Sequence, residues 1–178
     1  MAANWTAFVA GAVLEASQLN GVVGNFEDIA IFSDQKATNT AGGTFTSGAW
    51  QTRTLQTTVI NNIASCSLAA NVVSLPAGSY RIQASAPAFS VDAHQIRFAN
   101  TTDSIFYYGS NSRSPSANPD SDMNFSLLTT YVTITGTKSF ELQHRCATTR
   151  APDGFGTLTN FGVGTFCVYA QLEIQRVA

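Results

Sequence analysis

From Ile29 onward the sequence is one short strand-like run after another, with no helical period between the runs. Ala30-Ile31-Phe32 opens the series. Further runs cover Thr44 to Leu55, Ile63 to Leu68, Val72 to Leu75, Ser79 to Val91, Ala93 to Ala99, Ser104 to Tyr108, Asn124 to Thr135, Lys138 to Cys146 and Thr165 to Val177. Thr, Val, Ile, Phe and Tyr dominate these runs, as the pleated surface of a sheet favours. Asn39 to Gly43, Pro76-Ala77-Gly78, Gly136-Thr137 and Pro152-Asp153-Gly154 supply the turns between them. Strands that follow one another without crossover helices exclude a parallel α/β sheet and predict an all-β sandwich or barrel.

Period-two alternation assigns faces. In Ala93 to Ala99, His94, Ile96 and Phe98 share one face, opposite Ala93, Gln95, Arg97 and Ala99. In Lys138 to Cys146, Phe140, Leu142, His144 and Cys146 oppose Glu141, Gln143 and Arg145. Both histidines of the chain therefore fall on apolar faces. The last run sets Phe166, Val168, Ala170, Leu172, Ile174 and Arg176 on one side, with Cys167, Tyr169, Gln171 and Glu173 on the other. Faces that mix Arg, Gln and Tyr call for polar partners. The longest polar stretch, Gly109 to Asp122, reads as a loop rich in Ser, Asn and Pro.

Composition narrows the classes. Only 11% of the 178 residues are charged and the net charge is −2, against roughly 25% charged in an ordinary domain. Such a chain lacks the basic surface of a nucleic-acid binder and the high charge of a disordered one. Low charge with 44% apolar residues also predicts apolar surface covered by neighbouring subunits. Cys66, Cys146 and Cys167 form an odd, sparse set. They are expected to be small core thiols of a chain made in a reducing cytoplasm, not a disulfide framework. The longest apolar run, Ala7 to Leu14, is too short to insert across a membrane.

Residues 1–29 differ from the rest. Leu19, Val22, Val23, Phe26 and Ile29 recur at helical spacing, preceded by Trp5, Phe8, Val9, Val13 and Leu14. Gly21 and Gly24 weaken that helix, which is short enough to need a partner. The partner is either the chain's own domain or another protein.

Catalytic chemistry finds little support. Gly-x-Ser-x-Gly is absent, Gly42-Gly43 lacks the Lys and helix of a phosphate loop, and no His or Cys pair has zinc spacing. Asp103, Asp120 and Asp122 sit in turn-like surroundings, not on the converging rigid elements a glycosidase needs. A trimer axis would still bring three copies of one histidine together, so an axial metal stays open. Binding residues are better represented. Trp50, Phe106, Tyr107, Tyr108, Asn111, Arg113 and Phe155 combine rigid aromatic area with adaptable polar groups.

Two stretches carry a family resemblance. Asn4 to Ile29, with Trp5, Gly11, Leu14, Leu19 and Asn20, resembles the N-terminal segment of phage virion proteins, tail-fibre and appendage proteins especially. Ile31 to Leu55, Val73 to Phe98 and Lys138 to Cys146 resemble, in order, the C-terminal head of such proteins. That head is itself similar to the complement-type and tumour-necrosis-factor-like jelly rolls. Leu75-Pro76-Ala77-Gly78-x-Tyr80 matches their turn into a central strand. The chain passes directly from helix to sandwich, with no coiled-coil, collagen-like or β-helical shaft.

The resemblance implies a jelly-roll-like antiparallel β-sandwich head over 30–178 and a short helical attachment arm over 1–29. It further implies a non-enzymatic homotrimer, without cofactor, resident on the virion. A tail-fibre or baseplate head that binds a host-surface glycan or protein is the first reading; a capsid-decorating trimer is the alternative. The expected arm-docking residues are Trp5, Phe8, Leu19, Val22 and Phe26. Those expected to bind a receptor are Tyr108, Asn111, Arg113, Asn118 and Asp120, and those expected at the trimer interface are His94, Phe140, His144 and Tyr169.

Overall fold

The computed structural model describes residues 28–116, 122–160, 162 and 164–177. Residues 1–27 of the expected helical arm lie outside them, as do Asn118 and Asp120. Among the described residues the structure is entirely strand and turn. The strands are β1 (Ile29–Ala37), β2 (Gln51–Thr52), β3 (Thr57–Asn61), β4 (Ser67–Ala69), β5 (Val72–Leu75), β6 (Gly78–Phe89), β7 (Asp92–Asn100), β8 (Ile105–Ser114), β9 (Met123–Ile134), β10 (Lys138–Cys146) and β11 (Phe166–Arg176).

They form two antiparallel sheets. The first runs β3-β1-β11-β6-β9, the second β4-β5-β10-β7-β8 with β2 added to β10. The chain crosses repeatedly between the sheets, as a jelly roll requires. The Pro76-Ala77-Gly78 turn is one such crossing, from β5 in the second sheet to β6 in the first. Leu75 and Tyr80 are buried on either side of it, and the Tyr80 hydroxyl donates to the Pro76 carbonyl at 2.8 Å. The motif is a corner pinned by its own tyrosine.

The inward faces follow the alternation. Phe32, Ile82, Leu172 and Ile174 from the first sheet meet Val73, Ile96, Phe98, Phe140 and Leu142 from the second. Phe98 and Phe140 stack at 4.6 Å. A second cluster of Phe45, Ala88, Val91 and Cys146, backed by Phe155, closes one end. Cys66, Cys146 and Cys167 are all free and buried.

Three sequence expectations change. Gly109 to Ser114 is not loop but the second half of β8, paired with β7 from Asp92↔Ser114 to Gln95↔Asn111. Thr44 to Leu55 is mostly an irregular crossing, anchored by the Phe45↔Arg150 bridge and by β2. In β11 the alternation breaks: β1 pairs skip from Asp34↔Ala170 to Gln35↔Val168, leaving Tyr169 as a bulge residue. A bulge adds one residue and reverses the facing of everything beyond it. Cys167 and Tyr169 consequently turn inward, while Phe166 and Val168 turn out.

A matching irregularity lies in β8, where the β7 pairs skip between Gln95↔Asn111 and Arg97↔Tyr108. Gly109 occupies it. A Cβ there would lie 2.6 Å from the Leu127 carbonyl oxygen and 2.8 Å from the Ile96 side chain. Its absence lets β8 approach β9, where the Ser126 hydroxyl accepts from Ile96 N at 3.0 Å and Ser110 Oγ accepts from Leu127 N at 3.0 Å. These bonds fasten the two sheets along the β8–β9 side.

Candidate functional site

The outer face of the second sheet carries the most organised set of polar and aromatic side chains. Cross-strand register places it in rows: Glu141–Ala99–Phe106, then Gln143–Arg97–Tyr108, then Arg145–Gln95–Asn111. Directly opposed residues on one face are near enough to touch. The first two rows satisfy themselves. Glu141 Oε2 accepts from Thr52 Oγ1 at 2.6 Å and from Gln143 Nε2 at 2.8 Å. Gln143 Oε1 accepts from Arg97 Nε at 2.7 Å. The Arg97 guanidinium lies 4.3 Å from the Trp50 ring centroid and 3.9 Å from that of Phe106. Cation–π contacts on two rings fix both arginine and tryptophan. Tyr108 completes the aromatic edge, 5.9 Å from Trp50.

The third row opens into a recess of about 530 Å³ beneath the Ser47–Trp50 loop. Gln95, Asn111 and Arg145 line it with Trp50 and Ser47. Gln95 donates one amide hydrogen to the Gly109 carbonyl at 2.8 Å, which fixes its position. Two residues expected to bind a receptor thus come together here: Asn111 in the lining and Tyr108 against Trp50. Arg113 stands beside Ala93 in the register, 73% exposed, with Asp92 at 3.9 Å. Asp92 itself is held at about 2, chiefly by hydrogen bonds from Ser116 and Thr148. Sequence reasoning did not single out Gln95 or Arg145 for binding. Their signal was the polar outward face of two strands whose neighbours the sequence does not name.

The residues expected at a trimer interface lie in the interior of the protomer. His94, Phe140, His144 and Tyr169 are all buried inside one protomer, because the core between the two sheets encloses them. His94 Nδ1 lies 3.0 Å from His144 Nε2, while His94 Nε2 and His144 Nδ1 have no hydrogen-bond partner among the described residues. Burial holds His94 down at about 4 and His144 well below its usual value. The cation of Arg53 pushes both the same way.

Arg53 is fully enclosed. Its Nη2 donates to the Tyr169 carbonyl at 2.6 Å, and its guanidinium lies 4.1 Å from the Phe155 ring centroid. Burial lowers it to about 10 against the opposing pull of Asp34. The Tyr169 hydroxyl donates to the Thr40 carbonyl at 2.6 Å.

The outer face of the first sheet is different in kind. Phe125, Leu127 and Tyr131 of β9 are exposed, as are Phe166 and Val168 of β11 beyond the bulge. Leu127 is 57% and Phe166 68% exposed. A groove of about 200 Å³ runs between Phe125, Pro87 and Val168, and one of about 250 Å³ between Leu127, Ser85 and Gln171. Phe106 and Tyr108, also exposed, belong instead to the outer face of the second sheet.

These features define an all-β jelly-roll module with one apolar flank and one polar-aromatic flank. Solved structures of that architecture match it. The globular domain of zebrafish complement 1qA protein is similar over 84% of this chain and 98% of its own, with TM-score 0.53 and 10% sequence identity. The Eiger TNF of S. frugiperda is similar over 84% and 92%, with TM-score 0.51 and 13% identity. At these identities the likeness shows the fold, the complement- and tumour-necrosis-factor-type jelly roll. No family model and no curated protein matches the sequence.

Proposed function

We propose that the chain is a non-enzymatic phage virion protein, a homotrimeric head of a tail fibre or baseplate appendage that binds the host surface. The observation that carries this reading is the division between the two flanks. The β9–β11 face exposes Phe125, Leu127, Tyr131, Phe166 and Val168 beside grooves able to receive side chains, and exposed apolar surface of this kind marks an interaction site. Association through it leaves the second sheet free to face outward with its recess. Three identical recesses on one rigid head raise avidity by about 10²–10⁴ where geometry permits. The resemblance of residues 4–29 to virion attachment segments supports docking of Trp5, Phe8, Leu19, Val22 and Phe26 to a tail or baseplate protein.

Two measurements test the proposal. Light scattering of the purified full chain is expected to give a trimer. Antibody labelling of virions, imaged by electron microscopy, is expected to mark the tail end. Label spread evenly over the capsid replaces the receptor-binding reading with capsid decoration. A monomer in solution removes the trimeric head.

A further inference from the structure

We propose that the recess beneath the Ser47–Trp50 loop binds an acidic saccharide, a pyranose carrying a carboxylate, and that Arg145 receives the carboxylate. The inference rests on the reading of the chain as a surface-binding head and names the ligand class for it.

Three observations lead there. The first is the contrast between neighbouring rows on one sheet face. The Gln143–Arg97 row is closed by hydrogen bonds and by two aromatic contacts. The Arg145–Gln95–Asn111 row beside it is not. Arg145 is exposed and pairs with no carboxylate among the described residues, and the Asn111 side chain makes no hydrogen bond among them. Gln95 keeps its carbonyl oxygen and one amide hydrogen for a ligand. Rigid neighbours with open polar tips are a preorganised site.

The second observation is the lining chemistry. Trp50 supplies an aromatic wall for the C–H face of a sugar ring, and the amides of Asn111 and Gln95 both donate and accept, as vicinal hydroxyls require. No Asp or Glu lines the recess, so its local charge is that of Arg145. A planar guanidinium matches a carboxylate in two parallel hydrogen bonds. The third is size: about 530 Å³ lies within the ordinary range for small-ligand sites and suits one or two sugar rings.

The test uses the full chain and three probes: a tetrasaccharide containing glucuronic acid, its carboxyl-reduced counterpart, and inorganic phosphate. Binding is followed by amide and indole NMR, with Trp50→Phe assigning the Trp50 signal apart from Trp5. The acidic tetrasaccharide should shift the Trp50 indole and the Asn111 and Gln95 side-chain amides. Its affinity should exceed that of the reduced sugar by about tenfold or more, the usual value of a charge-assisted hydrogen bond.

Arg145→Gln, at an exposed position, should abolish that difference and leave the Arg97–Trp50 signals in place. Equal binding of the reduced sugar overturns the assignment of an acidic ligand. Displacement by phosphate alone at similar concentration, or shifts remote from Trp50, overturns the saccharide site.

Virion adsorption separates this inference from the broader reading. If Arg145→Gln virions lose adsorption while the acidic sugar does not bind, the ligand class falls and the head reading stands. If the sugar binds at Trp50 but the label coats the capsid, the head reading falls and the recess remains a sugar site.

Discussion

Acid should unfold this sandwich through its two histidines. His94 and His144 are buried, neutral and hydrogen-bonded to each other, with the Arg53 cation nearby. In the unfolded chain a histidine takes up a proton near 6.5, whereas His94 in the fold does so only near 4. Between those values the unfolded state binds more protons, so stability falls as pH falls. Each unit of separation corresponds to about 1.4 kcal/mol. The 6.5-to-4 interval of His94 therefore removes about 3 kcal/mol, and His144 adds to it in the same direction. That is a large share of the roughly 5–15 kcal/mol that keeps a domain folded.

The His94 contribution is complete above about 6.5 and fully lost near 4, and that of His144 falls in the same direction below 6.5. Carboxylates act in a lower window: Asp92, held at about 2 against an ordinary 3.8, loses its contribution only below that ordinary value. Urea unfolding followed by circular dichroism at about pH 7, 6, 5 and 4 measures the loss. Replacing both rings, His94→Leu with His144→Leu, removes every unpartnered imidazole nitrogen and should cost little at neutral pH. The double variant should flatten the slope between 6.5 and 4. His144→Leu alone strands His94 Nδ1 and should cost about 1–3 kcal/mol. A wild-type stability flat over this interval refutes the argument, and so does an acid slope that survives the double replacement.

Other substitutions test the remaining structure. Leu127→Asp places a charge on the exposed β9 face, where burial of the leucine between copies would contribute roughly 1 kcal/mol per subunit; light scattering should report dissociation with the monomer fold intact. Gly109→Ala drives a methyl against the Leu127 carbonyl and Ile96 and should cost about 1–3 kcal/mol, read as a lowered midpoint in a thermal melt. Among the thiols, Cys167 is held at about 7, first by its hydrogen bond with Thr159, whereas burial raises Cys66 and Cys146 to about 11. Native-state alkylation followed by peptide mass spectrometry should therefore mark Cys167 first.

Much of the interior was legible from period two. β7 and β10 alternate cleanly, so His94, Ile96, Phe98, Phe140, Leu142 and His144 are inward as expected. His94, Phe140 and His144 were expected at an interface between subunits, and the structure buries them between its two sheets. An apolar face on a strand says that something covers it, and here the opposite sheet does. Gly109 to Ser114 read as loop because an edge strand needs no apolar side chains when backbone bonds to β7 hold it. Tyr108, Asn111 and Trp50 were legible as binding types, but the Arg145–Gln95–Asn111 row was not. That row exists only through strand pairing between residues 16 and 50 positions apart in sequence, and a single sequence carries no register.

The Tyr169 bulge ties the corrections to the proposed assembly. Strict alternation would put Phe166 and Val168 with Ile174 in the core and Tyr169 outside, and the structure does the reverse. One extra residue turns Tyr169 inward, where its hydroxyl reaches Thr40 and its carbonyl accepts from Arg53. The same residue turns Val168 outward into the groove with Phe125 and Pro87. The buried polar cluster and the exposed apolar flank are thus two consequences of one backbone irregularity. Removing Tyr169 from the chain should restore plain alternation with Ala170 inward and Val168 still outward, and should leave Arg53 without the carbonyl that holds it. Loss of monomer stability in urea should then appear with the exposed flank preserved, whereas Leu127→Asp should lose the trimer by light scattering with the monomer fold intact.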